Sequence, residues 1–390
     1  MARLIVINQT VNPAFNGWLR QLAAAVGPLA LWCGNPPPAG LGPDITIHPA
    51  PAYQRASAFS RLRTWGWFTL VVAGRLLRQG GQTPLFVVTN PPFAPLLAGL
   101  LRRWQQRPFA LLEWDIYPQI LAPMGLAGPR HPLYRLWFQA HAHALRRASL
   151  VITLGEEMAG VLRAMVGDAP LPLAVIPNWT DTEWLRPLPR PENPFFQAQG
   201  WPAEDLLVLY SGNLGATHAI ETILAVAERL RARPGIRFVL IGEGSKRALV
   251  EAAIATGRLP NLHLLPYQPL DQLPYTLPAA DVGIVTLGDG YEGLSMPSKT
   301  YDLLAAGNAI LGISRAPNDL AATLASHRLG ANFAPDDPAG IAAWLETLAG
   351  DRAQLAAMQQ AARQAAEQQY SAAICPARLT AAVRQHLLAT

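Results

Sequence analysis

The chain is poor in residues that staple, anchor or ligate. Of its 390 residues only Cys33 and Cys375 are cysteines, which excludes a disulfide framework and a cysteine metal set and fits a reducing compartment. No uncharged apolar run approaches the roughly 20 residues of a membrane-crossing helix. The nearest, residues 65–74, is bracketed by Arg63 and Arg75. No basic-then-apolar leader opens the chain; residues 3–8 are too few and read as a first strand. Lysine is scarcer still, with Lys246 and Lys299 alone among 31 basic residues. No Gly-Lys-Ser/Thr follows the glycine loops, so there is no P-loop. A metal finger, a lysine-rich run and a nucleic-acid reading module are all missing, which argues against nucleic acid. His131, His141 and His143 do not make a metal set, because His141 and His143 are two apart and cannot share a helix face.

What is present is an apolar share of 51% with 15% charged residues, enough for substantial cores, at a length suited to two medium domains. Charge is uneven. Residues 1–177 carry 15 arginines against six acids, and the remainder carries 16 basic against 20 acidic residues. Strand-like runs alternate with helical stretches at residues 4–8, 29–32, 85–89, 110–114, 150–153 and 174–176. After proline-dense residues 177–202 the alternation restarts at 206–210, 237–241, 263–265, 282–287 and 309–313. This predicts two α/β halves, each a doubly wound parallel sheet, facing across a cleft. Residues 339–369 read as one helical pattern, and an amphipathic helix follows from Cys375.

The most informative stretch is 292–307, EGLSMPSKTYDLLAAG. It follows a buried strand at 282–287 and turns helical at Lys299, with Ser298 expected to cap through its hydroxyl and Gly307 to stop the helix. A strand feeding a loop and a helix start is where doubly wound sheets hold anionic ligands. Lys299 supplies charge there, and Asp302 suits a hydroxyl-rich ligand. Upstream, YSGNLG at 210–215 follows a strand and precedes a helix expected near Thr217, and IGEG at 241–244 repeats the pattern with Lys246 beside it. Small residues in such loops let backbone amides face a diphosphate.

In the first half Asn16-Gly17 follows the first strand, where a glycine admits close approach of a ligand. Asp115 lies at the C-terminal end of a strand and is the best acid–base candidate of that half. Residues 57–78, 97–107 and 134–147 mix arginines with Phe59, Trp65, Trp67, Phe68, Trp104, Tyr134, Trp137 and Phe138, a combination that suits helices lying in lipid headgroups.

Together these motifs resemble the retaining family-4 glycosyltransferases of the GT-B fold, in particular those building bacterial exopolysaccharide, O-antigen and capsule units. The resemblance rests on VITLGEE at 151–157, VIPNW at 175–179 with Asp181, and the loops at 210–215 and 241–244. ADVG at 280–283, PSKTYD at 297–302 and AAG at 305–307 complete it. It implies an acceptor-binding, membrane-facing first domain (residues 1–180, joined by a crossing helix at 372–390). It also implies a second domain (181–371) that binds a nucleotide-sugar, with UDP favoured over GDP. A lipid-linked or saccharide acceptor, an anionic membrane surface, metal-independent chemistry without a cofactor, and a cytoplasmic place on the inner membrane face are further implications.

The donor set so implied is Ser211, Gly212, Asn213, Gly215, His218, Gly242, Gly244, Lys246, Tyr267, Glu292, Gly293, Leu294, Ser295, Ser298, Lys299 and Asp302. The amides of Gly212, Asn213 and Gly215 would meet the departing diphosphate, and Asp115, Asn16 and Gly17 would serve catalysis. Two positions depart from the family pattern. An arginine and a lysine, five apart, are replaced by Asn213 and His218, and the first of two paired glutamates by Leu294, with Glu292 two residues earlier. Lys299 and the Ser298 helix start are expected to restore part of that lost charge. The rival readings are a sugar-nucleotide 2-epimerase of the same architecture, a sugar-binding protein and a non-catalytic partner subunit.

Overall fold

The computed structural model describes residues 2–35, 40–54, 57–79, 81–215 and 217–388. The chain divides into two units. One comprises Met1–Pro177, Gly293–Met296 and Ala372–Thr390, the other Asn178–Glu292 and Pro297–Ser371.

Seven parallel strands form the first unit: β1 (Leu4–Ile7), β2 (Leu29–Cys33), β3 (Ile45–Pro49), β4 (Leu85–Val88), β5 (Phe109–Glu113), β6 (Leu150–Thr153) and β7 (Leu173–Val175). Their order is β3-β2-β1-β4-β5-β6-β7. Strands β1, β4 and β5 are buried at every residue, as a parallel sheet covered on both faces requires. Strand β3 escapes the sequence pattern because it is an edge strand, largely exposed and ending in Pro49. The helices are α1 (Pro13–Val26), α2 (Ala58–Gln79), α3 (Ala94–Gln105), α4 (Pro132–Leu145) and α5 (Glu156–Val166). Helix α1 starts where the Asn12 side chain accepts the Phe15 N–H at 2.8 Å and ends at Gly27, φ 94°.

The second unit carries β8 (Leu206–Ser211), β9 (Ile236–Ile241), β10 (Leu262–Leu265), β11 (Val282–Thr286), β12 (Ala309–Ile313) and β13 (Gly330–Phe333), ordered β10-β9-β8-β11-β12-β13. Its helices are α6 (Pro194–Gln199), α7 (Ile220–Arg229), α8 (Arg247–Ala255), α9 (Leu273–Thr276), α10 (Lys299–Ala305), α11 (Asp319–His327), α12 (Pro338–Gly350) and α13 (Arg352–Gln369). Side chains of β8, β9, β11 and β12 meet those of α7 and α12 in the core. The last helix, α14 (Ile374–Val383), belongs to the first unit, where Trp18 Nε1–H donates to Thr380 Oγ1 at 3.2 Å.

Three local expectations change. The helix expected near Thr217 begins at Ile220, because the His218 N–H closes a turn on the Gly215 carbonyl. The single helix over 339–369 is two, interrupted at Asp351, whose carboxylate caps α13 through the Gln354 N–H. The proline-dense connection contains a helix, α6, started by buried Asn193 accepting the Phe196 N–H at 3.1 Å. Strand order reverses between β1 and β4 in one unit and between β8 and β11 in the other. The crevice at the carboxyl ends of such a pair is where this architecture holds ligands.

Candidate functional site

At the reversal in the second unit, β8 ends in Ser211 and β9 leads into Gly242, and the loops that follow touch backbone to backbone. A Cβ on Gly242 (φ 153°) would lie 1.8 Å from the Gly212 carbonyl oxygen, and one on Gly244 2.5 Å from that of Leu214. Only glycine fits. The Gly212 N–H donates to the Ile241 carbonyl at 2.9 Å and the Leu214 N–H to Glu243 at 2.8 Å. The Gly212 amide is therefore engaged within the fold, contrary to its expected role toward a diphosphate. Among the described residues the amides of Asn213 and Gly215 have no such acceptor. The Tyr210 hydroxyl donates to the Asn213 carbonyl at 2.7 Å and fixes this turn.

Lys299 opens α10. Ser298 does not cap it as expected; its backbone is already helical (φ −62°, ψ −30°) and its side chain makes no capping bond. The Lys299 Nζ is buried and has no hydrogen-bond partner among the described residues. It lies 4.1 Å from the centre of the Tyr210 ring, a cation–π contact, and a Cβ on Gly212 would come within 3.2 Å of it. Burial lowers its pKa to about 8, so it is a cation at neutral pH without an anion. The other lysine is occupied: Lys246 Nζ donates to Glu221 and to the His218 carbonyl, both at 2.7 Å.

His218 Nδ1 is 2.8 Å from Thr286 Oγ1. Burial, and then Lys299 and Lys246, lower its pKa to about 4. It is neutral and brings no charge to the site. Asp302 accepts a hydrogen bond from Thr180 Oγ1 at 2.7 Å, and burial raises its pKa to about 6 against that bond. Sequence reasoning missed Thr180, 122 residues away, and Thr286, which looked like an ordinary strand residue; it placed Tyr210 in the loop motif without a role. Glu292 keeps a buried Oε1 without a partner among the described residues, and Tyr267 is 66% exposed just after β10. Gly293, Leu294 and Ser295 are parted from the other donor candidates in the division into units. They belong to the first unit, where Ser295 bridges Asp115 and the Ile116 N–H donates to the Leu294 carbonyl at 2.9 Å.

In that unit Asn16 and Gly17 lie inside α1 rather than in the loop before it. A Cβ on Gly17 would meet only the end of the Arg20 side chain, at 4.0 Å, so close approach does not explain it. Asn16 is 1% exposed, and both its side-chain polar atoms lack a partner among the described residues. So do Asn8 Nδ2 and Trp114 Nε1; the Trp114 ring meets Phe15 edge-on at 5.6 Å. Unsatisfied buried polar groups cost roughly 1–3 kcal/mol each, which marks these side chains as the candidate acceptor cluster of this unit. Burial, then Glu113, raise the pKa of Asp115 to about 6.

Behind Asp115 lies a pair that the sequence did not reveal. His141 Nε2 is 2.9 Å from Glu113 Oε1 and its Nδ1 2.6 Å from the Tyr117 carbonyl, with His141 and Glu113 both fully buried. A backbone carbonyl only accepts, so Nδ1 carries a proton, and the raised pKa of His141 puts a second on Nε2, making the pair imidazolium–carboxylate. Burial alone would lower the His141 pKa, but the Glu113 charge, its hydrogen bond and the Tyr117 carbonyl together raise it.

The aromatic–arginine helices divide. Phe68 and Tyr134 are buried and Trp65, Trp137 and Phe138 half-buried, with Tyr117 stacked on Trp137 at 5.7 Å; these pack inward, contrary to the lipid reading. Phe59, Trp67 and Trp104 are 74%, 59% and 60% exposed. Among the described residues no helix is long and apolar enough to cross a membrane, and no group of three or more His, Cys, Asp or Glu is placed to hold a metal.

Comparison with known proteins points to one chemistry. Residues 205–351 match the model of glycosyl transferases group 1. The chain is 27% identical over 296 residues to the probable glycosyltransferase WbjE of Pseudomonas aeruginosa, covering 76% of this chain and 73% of WbjE. It is 34% identical over 111 residues to the putative colanic acid biosynthesis glycosyl transferase WcaI of Escherichia coli K12, covering 28% and 27% of the two chains. Among solved structures, Anabaena Alr3699/HepE in complex with UDP aligns over 99% of this chain and 100% of its own at 14% identity, with a TM-score of 0.73. That likeness is one of fold.

Proposed function

We propose that this chain, whose residues 205–351 match glycosyl transferases group 1 and whose fold is that of HepE, is a nucleotide-sugar-dependent glycosyltransferase of family 4 and that its second unit binds a UDP-sugar. We further propose that it transfers the sugar, with retention of anomeric configuration, to a lipid-linked or saccharide acceptor held by the first unit, in the synthesis of a cell-surface polysaccharide. The observation that carries the donor reading is Lys299, whose buried ammonium has no anionic partner among the described residues and faces the Gly212 loop. A diphosphate on Lys299 and the amides of Asn213 and Gly215 satisfies all three. As the bond from C1 to the leaving oxygen breaks, charge grows on the diphosphate, so a fixed cation there favours the transition state more than the ground state. Asp302, with Thr180 on one oxygen, keeps lone pairs for a ribose diol. UDP bound to HepE, a protein of the same fold, supports UDP as the first candidate. On the acceptor side, Asp115 with a pKa of about 6 is a carboxylate at neutral pH and can take the proton of the attacking hydroxyl.

The test is calorimetric titration with UDP, GDP and their sugar conjugates, with Asp302→Ala as control. One nucleotide binds, and the variant loses at least about tenfold, the worth of one charge-assisted hydrogen bond. Affinity is greatest between the pKa of Asp302, about 6, and that of Lys299, about 8. It falls on the acid side as the carboxylate is protonated and on the alkaline side as the ammonium loses its proton. Binding of neither nucleotide overturns the donor assignment.

We also propose peripheral attachment to an anionic membrane through α2, which presents Phe59, Leu62, Trp67 and Leu70 to solvent, each more than half exposed. Trp67→Ser/Leu70→Ser is expected to lower co-sedimentation with phosphatidylglycerol vesicles at least about tenfold, since burying each such side chain contributes ~1.5–3 kcal/mol. Unchanged co-sedimentation removes this surface from the proposal.

A further inference from the structure

The middle of α3 and the C-terminal end of α4 approach closely because Gly99 leaves room for Ala144; a Cβ on Gly99 would lie 3.1 Å from that of Ala144. Beyond this contact come two pairs of consecutive arginines, Arg102-Arg103 in the last turn of α3 and Arg146-Arg147 just after the end of α4. The close crossing gathers all four around one cavity of about 450 Å³, completed by Gln106. None of the four makes an ion pair among the described residues.

Helix C-termini attract cations, and that accounts for part of the cluster. Arg102 donates to the Gln106 carbonyl at 3.0 Å, and Arg146 to the Val166 carbonyl, which ends α5, at 3.2 Å. Among the described residues the side chains of Arg103 and Arg147 have no such acceptor. His143, on the last turn of α4, adds no compensating charge; burial, then Arg147, Arg103 and Arg146, hold its pKa below the ordinary value. Like charges gathered without a counter-charge repel, and a concave, cationic surface focuses anions.

Helices α3 and α4 run from the carboxyl ends of β4 and β5 back to the amino ends of the strands that follow them. The cavity therefore lies at the amino ends of the strands of the first sheet, opposite the carboxyl ends that carry Asn16, Trp114 and Asp115. It belongs to neither the acceptor cluster nor the donor loops.

We propose that this four-arginine cavity binds a phosphate group, with Arg103 and Arg147 as its two uncommitted guanidiniums. Guanidinium forks match phosphate oxygens in bidentate fashion, and five donors on each side chain leave several free. Leu100 and Trp104 stand beside the cavity on α3, 42% and 60% exposed, an apolar flank of the kind that accompanies a lipid headgroup. A soluble phosphate presents the same oxygens.

The test compares Arg103→Gln/Arg147→Gln with a charge-matched control in the second unit, Arg231→Gln/Arg258→Gln. Inorganic pyrophosphate is titrated calorimetrically into each, and into Lys299→Ala, which reports the donor site separately. Co-sedimentation with phosphatidylcholine vesicles, with and without phosphatidylglycerol, is measured in parallel. The expected result is loss of one pyrophosphate site in the Arg103/Arg147 variant but not in Lys299→Ala or the control. If phosphatidylglycerol-dependent co-sedimentation also falls about tenfold, as removal of arginines from an anionic surface predicts, the phosphate belongs to a lipid headgroup. If it does not fall, the ligand is a soluble phosphate. Pyrophosphate binding and co-sedimentation that both match the control overturn the proposal, whatever becomes of the donor site.

Discussion

Lys299→Ala is expected to weaken binding of the donor nucleoside diphosphate by about 2–4 kcal/mol, roughly 30- to 1000-fold in Kd. The size follows from where the charge sits. Its Nζ is buried over the Tyr210 ring without a hydrogen-bond partner among the described residues, so water screens it little, and no other uncommitted cation is found in these loops. Lys246 is bound to Glu221, and His218 is neutral. The opposite sign is expected for stability. An ammonium whose pKa is depressed from 10.5 to about 8 costs the folded state about 3 kcal/mol at most below pH 8. Between those two values the unfolded chain binds more protons than the folded one, so stability rises with pH. Lys299→Met removes the cost, raises the melting temperature of the apo protein and abolishes that rise, while binding is lost. A variant that binds the nucleotide as well as the parent sinks the donor reading; one that melts lower than the parent sinks the account of Lys299 as a strained cation.

The second large effect lies in the first unit. Glu113→Leu leaves His141 without its carboxylate in a fully buried position, and breaking a buried pair in this way costs about 3–5 kcal/mol. The lower end is expected, because the imidazole can escape by losing its proton. The pH dependence then changes sign. In the parent, His141 has a raised pKa, so its contribution is full below 6.5 and is lost as pH rises through the folded value. In the variant, burial without a partner depresses it, so stability is lost as pH falls. Urea unfolding on both sides of pH 6.5 reads the reversal, and parallel slopes in the two proteins would refute the imidazolium–carboxylate assignment. A functional consequence accompanies it. Glu113 helps to raise the pKa of Asp115, so the acid limb of transferase activity moves to lower pH in surviving Glu113→Leu protein.

Much of the fold is legible in the chain. Buried strands such as LIVI, LFVV and VGIVT are continuous apolar runs, because helices cover both faces of a parallel sheet and leave no polar side to alternate. Of the four edge strands, β7 and β10 were legible, whereas β3 and β13 were not. One is mostly exposed and the other is a four-residue Gly-Ala-Asn-Phe segment, and both owe their place to a neighbour's hydrogen bonds rather than to their own side chains. Ser298 shows the same limit at a helix start. A serine before a helix is a good cap only if its backbone is extended, and here it is helical.

Residue identity and local order alone placed the glycine loops after β8 and β9, and the scarcity of lysine drew attention to Lys299. Loops between strand and helix and rare cations are local facts. What those residues do was decided by partners far away in the chain. Tyr210 receives the Lys299 cation 89 positions on, Thr180 meets Asp302 across 122 residues, and Glu113 finds His141 across 28. The Gly212 amide looked free for a ligand until β9 supplied its acceptor in Ile241. Burial and charge pairing depend on what the folded chain brings within a few ångströms, and so does the choice between a free and an occupied donor. No property of a side chain taken singly contains that information.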